Sequence, residues 1–299
     1  MNIPTTVIGS YPVRLDGVKY ARAYFSGEKN DALSASIREA VSTQVNAGID
    51  IVSDGQTKGD FINIFAKNFR GVAVKERPIV YSEIEYIRDS VVADQSYVKS
   101  FLPKNVKLKG IITGPYTMAK GSEDRHYGSL EKLSLAYARG LASEAEKLSK
   151  IVDYIQVDEP FFSVDYPDYG RELIEKVFAN VDVPKMLHVC GDVSKIFPQL
   201  IEYKVDYLEH EFAANPSLWE TVSQHSFKQR LGVGVVRSDL NKVESVEEIV
   251  GRMCKAFEVV GSEHIIFNPD CGLRNLDPEV AFGKLKNMVS ARNRVCEQI

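Results

Sequence analysis

The sequence predicts an α/β fold made of one (β/α)8 barrel, or TIM barrel, over residues 1–299. Three observations predict it. Eight short runs with several β-branched residues are spaced along the chain, longer segments with helical periodicity separate them, and most of the short runs end in a polar residue. Eight such units fit a barrel of about 200 to 300 residues, although a doubly wound open sheet would give a similar alternation.

The predicted strands follow one another in a regular order. They are TTVIGSY (5–11), DIVSDG (50–55), LKGIITG (108–114), YIQVDEP (154–160), VPKMLHVC (183–190), VDYLEHEF (205–212), RLGVGVV (230–236) and HIIFNPDC (264–271). Each is followed by a longer segment, except the last, which is followed by the final part of the chain. The strand and helix patterns therefore alternate throughout.

The segments between the strands predict amphipathic helices. One apolar stripe recurs every four residues before Gly48 and consists of Leu33, Ile37, Val41 and Val45. Segments 129–151 and 245–261 carry apolar stripes and helix-terminal signals. Residues 72–105 fit neither period well, so we expect an elaboration of the single domain there, with a helix near residues 82–90.

Composition and charge favour a small-molecule partner. The chain is 44% hydrophobic and 26% charged with a formal net charge of -4, so it offers no broad basic surface for nucleic acid or an anionic membrane. No apolar run is long enough to span a bilayer, and the start MNIPTTVIGSYP lacks the pattern of a signal peptide. We therefore expect a cytoplasmic protein whose four cysteines are thiols or metal ligands rather than disulfides.

The carboxyl ends of the predicted strands collect ionisable residues. In a barrel, these ends form the face that carries the chemistry. A barrel with a purely structural role has no reason to gather a histidine, two cysteines and several carboxylates there. The polar residues at or near these ends are Ser10, Asp54, Thr113, Asp158, Glu159, His188, Cys190, Glu209, Glu211, Asp239, Asp270 and Cys271.

His188 and Cys190 are candidate metal ligands. Residues two apart on a strand project to the same side, so the two side chains can converge. On its own, the pair is explained more simply by a buried histidine with a hydrogen-bond partner and a small apolar cysteine. Cys271 strengthens the metal hypothesis because it ends the eighth strand, and Glu211 can add an oxygen. One nitrogen, two thiolates and a carboxylate suit tetrahedral zinc.

The motifs at the strand ends resemble those of a known family. VIGSYP, VDEP, HVC, EHEF and NPDCGL occur in the order found in the catalytic domain of cobalamin-independent methionine synthases, from Val7 to about Arg274. The resemblance implies a barrel of the uroporphyrinogen decarboxylase and methionine synthase type. It also implies a catalytic zinc and the transfer of a methyl group to the sulfur of homocysteine.

The resemblance implies roles for individual residues. Glu209 rivals Glu211 as the carboxylate ligand, but counting from Asp206 in VDYLEHEF favours Glu211. The implied zinc ligands are thus His188, Cys190, Glu211 and Cys271. The implied amino-acid contacts are Ile8, Gly9 and Ser10 for the carboxylate of homocysteine and Asp158 for its ammonium group.

Departures from the family pattern bear on the methyl donor. Gly121 lies where the family has a tryptophan that packs against folate. Asn63 lies where the family has a second carboxylate near the ammonium group. Asp239, a candidate catalytic residue, aligns near the family's proposed acid histidine. The chain also has room for one barrel rather than two. These departures favour methylcobalamin or a methylated corrinoid protein as donor over methyltetrahydrofolate.

Three other functions remain open at the level of the sequence. A zinc enzyme of similar fold can alkylate another thiol such as coenzyme M, but Asp158 argues against a substrate without an ammonium group. A metal-free decarboxylase of the uroporphyrinogen type would make Cys190 and Cys271 incidental. A zinc-binding or corrinoid-delivery module without turnover would need no homocysteine pocket.

Overall fold

The computed structural model describes residues 3–14 and 29–297. Its strands are β1 (Ile51–Val52), β2 (Phe69–Val74), β3 (Pro78–Tyr86), β4 (Lys107–Thr113), β5 (Glu123–Asp124), β6 (Tyr154–Asp158), β7 (Lys185–His188), β8 (Tyr207–His210), β9 (Arg230–Val236) and β10 (Ile265–Pro269). Seven of them form one parallel sheet in the order β1-β4-β6-β7-β8-β9-β10. The other three form a small second sheet in the order β2-β3-β5.

Helices connect most of the parallel strands. They are α1 (Lys29–Ala47), α2 (Asn63–Ala66), α3 (Val92–Phe101), α4 (Pro115–Lys120), α5 (Leu130–Leu148), α6 (Gly170–Val177), α7 (Phe197–Leu200), α8 (Leu218–Ser223), α9 (Val246–Val260) and α10 (Pro278–Cys296). Two 3-10 helices cover Pro160–Ser163 and Ser262–His264. Among the helices of the described residues, none combines the length and apolar character that a membrane span needs.

The amino-terminal segment joins the two edges of the large sheet. Thr5 pairs in parallel with Phe267 of β10, and Thr6 pairs in parallel with Ile51 of β1. The Asp50 carboxylate anchors this segment because it accepts hydrogen bonds from the Thr5 amide at 2.8 Å and the Thr5 hydroxyl at 2.7 Å. Arg292 of α10 donates to the same carboxylate at 2.8 Å. The parallel sheet is therefore curved so that its first and last strands both reach this segment.

The alternation of strands and helices agrees with the sequence prediction. Seven of the eight predicted strands overlap β1, β4 and β6 to β10. The predicted first strand is represented by the two bridging residues Thr5 and Thr6 rather than by a full strand. The helices predicted from the three apolar segments are also present as α1, α5 and α9. Ser245 begins α9 with the predicted kind of signal, a capping box with Glu248.

The helix predicted near residues 82–90 is wrong. Residues 78–86 form β3, which pairs antiparallel with β2, and a helix begins only at Val92. Val80 and Ile84 are buried whereas Tyr81, Glu83 and Glu85 are exposed. Because one face of this hairpin packs on the protein and the other faces water, its burial pattern follows a strand rather than a helix.

On the inner face of the large sheet, buried apolar side chains are followed, toward the carboxyl ends of the strands, by polar side chains. Ile51, Met186, Tyr207 and Ile266 form a buried cluster separate from the main core. Side chains two residues further along a strand project to the same face. His188 therefore follows Met186, and Glu209 follows Tyr207, on the side where the strands end. The register supports this placement because His188 is the Cα partner of Glu209.

Asp50→Ala should destabilise the protein by removing the acceptor that anchors the amino-terminal segment. We expect the free energy of unfolding to fall by about 2 kcal/mol, since hydrogen bonds to a charged group are lost. Urea denaturation measures this change. Asp182→Ala is the control, because it removes an exposed ion pair with Lys150 and should change stability little. Equal effects of the two substitutions would contradict the anchoring role of Asp50.

Candidate metal centre and substrate pocket

Three of the predicted metal ligands meet at the end of the sheet. His188 ends β7, Cys190 lies two residues beyond it, and Cys271 follows β10. The Nε2 atom of His188 lies 2.9 Å from Sγ of Cys190, and the two sulfur atoms lie 3.0 Å apart. All three potential ligand atoms lie within 4.8 Å of one another. One nitrogen and two sulfur donors around one point fit a zinc ion.

A backbone contact orients the His188 ring. Its Nδ1 atom lies 3.1 Å from the carbonyl oxygen of Glu209 on the neighbouring strand β8. A carbonyl only accepts hydrogen bonds, so Nδ1 carries the proton and donates it. The Nε2 atom is thereby turned toward the two thiols. Metal-binding histidines are commonly held in this way by a partner of the second ring nitrogen.

The three groups alter one another's protonation. The hydrogen bond from Cys190 lowers the pKa of Cys271 well below its ordinary value, and contacts with His188 act in the same direction. The same hydrogen bond, together with burial, raises the pKa of Cys190. Burial lowers the pKa of His188, but its hydrogen bond to Cys271 and nearby negative charges outweigh this effect and raise the value to about 9. The site therefore favours a thiolate at Cys271.

Glu211, the fourth predicted ligand, lies outside the group of three that could share an ion. It is half-buried, and its pKa is raised, chiefly by burial. Its negative charge also contributes to the raised pKa of Cys190. Glu209 is turned elsewhere, because its fully buried carboxylate pairs with Lys109. Of the two carboxylates, Glu211 is thus the one free to approach the three ligands.

A pocket of about 440 Å³ opens beside His188, Cys190 and Cys271, which together are called the metal group below. Its walls include the predicted amino-acid contacts as well as three of the predicted metal ligands. The lining residues are Ile8, Gly9, Ser10, Gln56, Asp60, Phe61, Asp158, Pro160, His188, Cys190, Cys271, Gly272, Arg274 and Asn275. The structure therefore brings Ile8, Gly9, Ser10 and Asp158 together with His188, Cys190 and Cys271, as the strand-end positions predict.

Gln156 links Asp158 to Ile8, another residue of the pocket wall. The Nε2 amide of Gln156 donates to the Asp158 carboxylate and also to the carbonyl oxygen of Ile8 at 2.8 Å. Burial raises the pKa of Asp158 to about 6. The carboxylate is still mostly ionised at neutral pH, so it can neutralise a cationic group in the pocket.

Two glycines make room for the pocket wall. A Cβ atom on Gly272 would lie 2.2 Å from Oγ of Ser10, and one on Gly9 would lie 2.9 Å from Oε1 of Gln56. Such distances are too short for non-bonded atoms, so larger residues at these positions would displace Ser10 or Gln56. Because both glycines lack a side chain, Gly272, next to Cys271, can lie against Ser10, and Gly9 can lie against Gln56.

Several other strand-end carboxylates support the backbone instead of the pocket. The buried carboxylate of Glu159 accepts hydrogen bonds from the amides of Tyr116 and Thr117 at the start of α4. Asp270 accepts hydrogen bonds from the amides of Ala213 and Ala214. These contacts are structural, so Glu159 and Asp270 hold the loops around the site in place.

Asn63 and Asp239 do not line the pocket. Asn63 begins α2, and its backbone amide donates to the carboxylate of Asp60, which is the residue that reaches the pocket. Asp239 forms a two-contact ion pair with Arg237, and this partner lowers the pKa of Asp239. A carboxylate held in its ionised form is a poor proton donor, which argues against the predicted acid role.

Gln56 and Arg274 line the pocket, although neither is among the site residues predicted from the sequence. Gln56 has a φ of 47°, and among residues 3–14 and 29–297 it is the one non-glycine residue with positive φ. Such backbone strain is concentrated at functional sites. Arg274 donates to the carbonyl oxygens of Gln56 and, at 2.7 Å, of Gly59. The position of Gln56 directly after the second predicted strand is the signal that could have identified it.

Comparison with known proteins identifies the family. The model of the family described as "Cobalamin-independent synthase, Catalytic domain" matches residues 3–294. The chain belongs to this family. A methionine synthase from Methanocaldococcus jannaschii is 38% identical, covering 96% of this chain and 97% of that protein. A methionine synthase from Methanothermobacter marburgensis is 37% identical over 96% and 98% of the two chains. The predicted family is confirmed, and with it the prediction of a methyltransferase enzyme.

Solved structures agree with this membership. A B12-independent methionine synthase from Shewanella sp. W3-18-1, in complex with selenomethionine, aligns with a TM-score of 0.85 and 25% identity over 100% of this chain and 99% of that chain. A putative B12-independent methionine synthase from Listeria monocytogenes aligns with a TM-score of 0.77 and 19% identity over 99% of both chains. The second likeness supports the fold alone.

Removing either sulfur ligand should abolish tight metal binding. We expect about one zinc per wild-type chain, and little zinc in Cys190→Ser or Cys271→Ser, because a serine hydroxyl is a poor substitute for a thiolate. Mass spectrometry of the metal content measures this. Cys254→Ser is the control, since Cys254 lies on α9 and packs against the core. Equal zinc content in all three variants would refute the proposed ligand set.

Proposed function

We propose that this protein is a zinc-dependent methyltransferase that converts homocysteine to methionine. The observation that carries the proposal is the convergence of His188, Cys190 and Cys271 with Asp158 in one pocket. Membership in the methionine synthase family supports the same reaction. We also infer that Thr5 and Thr6 act as the eighth strand of a closed (β/α)8 barrel, since they pair with both edge strands.

His188, Cys190 and Cys271 would hold the zinc, and Glu211 is the proposed fourth ligand. Zinc, when bound, supplies the positive charge that lets the homocysteine thiol ionise at neutral pH while its sulfur remains nucleophilic. As a carboxylate, Glu211 would bind zinc less firmly than the two thiolates, so it would be the ligand that leaves a place for the substrate. The half-buried position of Glu211, outside the close group of three, suits this role.

The pocket residues orient the amino acid. Asp158 is placed to accept hydrogen bonds from the ammonium group, and the backbone around Ser10 is proposed to bind the carboxylate. Gln56, Asp60 and Arg274 complete the polar wall. The Shewanella relative with bound selenomethionine supports a pocket for an amino acid of this size. Holding both ends of the amino acid aims its sulfur and removes much of the entropic barrier to transfer.

The methyl transfer is a displacement in which one bond forms and one breaks. The homocysteine thiol loses its proton, and the sulfur then uses an electron pair to bond the methyl carbon. The bond between that carbon and the donor breaks, and the donor leaves with its electron pair. A donor that leaves as a stable species needs no acid in the protein, whereas departure of a tertiary amine requires protonation.

The corrinoid donor predicted from the sequence is not supported by the family description, which is that of a cobalamin-independent synthase. The residues of this chain favour it for two reasons. Gly121 offers no ring for stacking a pterin, and a Cβ atom there would lie 2.4 Å from Cδ1 of Ile62. Asp239, near the position of the family's acid, is ion-paired and ionised. We retain the corrinoid donor as the hypothesis that the donor experiment tests.

The alternative functions receive less support. A thiol such as coenzyme M has no ammonium group to pair with Asp158. A metal-free decarboxylase gives no reason for the close grouping of His188 with two cysteines. A module without turnover gives no reason for an amino-acid pocket beside that group. Methyl transfer to homocysteine accounts for all of these features.

Asp158→Asn should weaken homocysteine binding while zinc stays bound. The loss of a charge-assisted contact to the ammonium group is expected to cost about 1.5 to 3 kcal/mol. Calorimetric titration of zinc-loaded protein with homocysteine measures this. Asp168→Asn is the matched control because Asp168 is exposed and outside the pocket. Unchanged affinity in Asp158→Asn would show that Asp158 has another role.

Zinc-loaded protein should form methionine from methylcobalamin or a methylated corrinoid protein, and little from methyltetrahydrofolate. The physical reason is that cobalt leaves without a proton, whereas the folate amine needs a bound and protonated pterin. Chromatographic measurement of methionine compares the donors, with Cys271→Ser as the inactive control. Comparable or faster turnover with methyltetrahydrofolate in the absence of any corrinoid would refute the donor hypothesis and leave the methyltransferase proposal intact.

A further inference from the structure

A fully buried ion pair lies beside the metal group. The Nζ atom of Lys109, on β4, is 3.2 Å from Oε1 of Glu209, on β8, and neither side chain is exposed. Strands β6 and β7 lie between β4 and β8 in the sheet. The pair therefore spans the concave side of the curved sheet, past the two strands that end in Asp158 and His188.

This ion pair is a poor source of stability. Taking both charges out of water costs free energy that their attraction repays only with good geometry and complete hydrogen bonding. The second carboxylate oxygen of Glu209 has no hydrogen-bond partner in the part of the chain that the structure describes. Apolar side chains of similar volume would fill the same space with no unsatisfied polar atom. Stability therefore does not explain why an ion pair occupies this position.

The surrounding backbone is shaped to admit Glu209. A Cβ atom on Gly232 of the neighbouring strand β9 would lie 2.3 Å from Cγ of Glu209. Any residue other than glycine at this position would push the Glu209 side chain aside. A glycine inside a strand weakens the strand, which adds to the cost of keeping Glu209 here.

Glu209 touches the metal group through its backbone. Its carbonyl oxygen accepts a hydrogen bond from the amide of Val189 at 3.3 Å and from Nδ1 of His188 at 3.1 Å. The same residue is thus held at two points, by Lys109 at the side chain and by β7 at the carbonyl. Partners of the second ring nitrogen of a metal-binding histidine influence metal affinity strongly.

We propose that the Lys109–Glu209 ion pair is a positioning device for His188. By fixing Glu209 across the sheet, Lys109 holds the carbonyl that keeps Nε2 of His188 turned toward Cys190 and Cys271. Neither Lys109 nor Glu209 touches the metal or the substrate in this role. The inference rests on the proposed metal site but adds to it two residues that lie outside the proposed ligand set.

The main test replaces the pair with apolar side chains of similar length. Lys109→Met combined with Glu209→Met should fold, because apolar replacements of buried ion pairs are commonly tolerated. We expect its zinc dissociation constant to rise by about 10- to 100-fold, since the orientation of His188 is loosened. Competition with a chromogenic chelator measures this constant without any need for activity. A constant within twofold of wild type would overturn the proposal.

The chain offers a matched control. Lys284 of α10 and Glu244 form a second buried ion pair at 2.6 Å, and neither residue lines the pocket. Lys284→Met should lower stability and leave zinc affinity unchanged. If it weakens zinc binding as much as the Lys109 and Glu209 double variant does, the effect reflects general destabilisation and the proposal fails.

A second variant and a second measurement cover the other outcomes. If the double variant does not fold, Glu209→Gln serves instead, because it keeps the shape of the side chain and removes its charge. We expect nuclear magnetic resonance to show an exchange-protected Nδ1 proton of His188 in wild type and its loss in either variant. An unchanged resonance overturns the proposal. If wild type binds no zinc, the proposed function fails, and this resonance in metal-free protein still decides the role of the pair.

Discussion

Parallel strands bring their carboxyl ends to the same edge of a sheet, and the candidate site depends on this constraint. Here the sheet is curved, with its two edge strands both paired to the amino-terminal segment. His188 and Cys271 are separated by 83 positions in sequence (271 minus 188), yet they follow the ends of β7 and β10 and meet at one point. No local interaction between them is needed, because the register of the strands already places them.

Most of the buried ionisable groups around the site are acidic. Burial raises the pKa values of Asp158 and Glu211. The hydrogen bond between Cys190 and Cys271 lowers the pKa of Cys271 and so favours a thiolate there. Desolvated negative groups of this kind are costly unless a positive charge joins them. A zwitterionic amino acid and a divalent metal both supply that charge. The pocket is thus better suited to cationic partners than its modest overall charge would indicate.

The sequence points to residues whose role depends on local spacing, and not to residues whose role depends on backbone conformation or on close approach in the fold. His188 and Cys190 are identified by their spacing on one strand, and Cys271 by its place at a strand end. Gln56 was missed because its role follows from a left-handed backbone conformation and from the close approach of Gly9, neither of which a residue type reveals. The prediction of a helix near residues 82–90 is wrong because residues 82–86 belong to β3, whose polar face interrupts the apolar pattern.

The amino-acid sequence by itself determined the alternation of strands and helices, the family and three side chains of the metal group. It did so because these depend on periodicity and on motifs whose residues lie within a few positions of one another. Only the tertiary structure decided that Glu209 pairs with Lys109, 100 positions away, instead of approaching His188 and the two cysteines. The physical reason is that charge pairing and burial depend on distances across the fold, and these distances are set when strands far apart in sequence pack together.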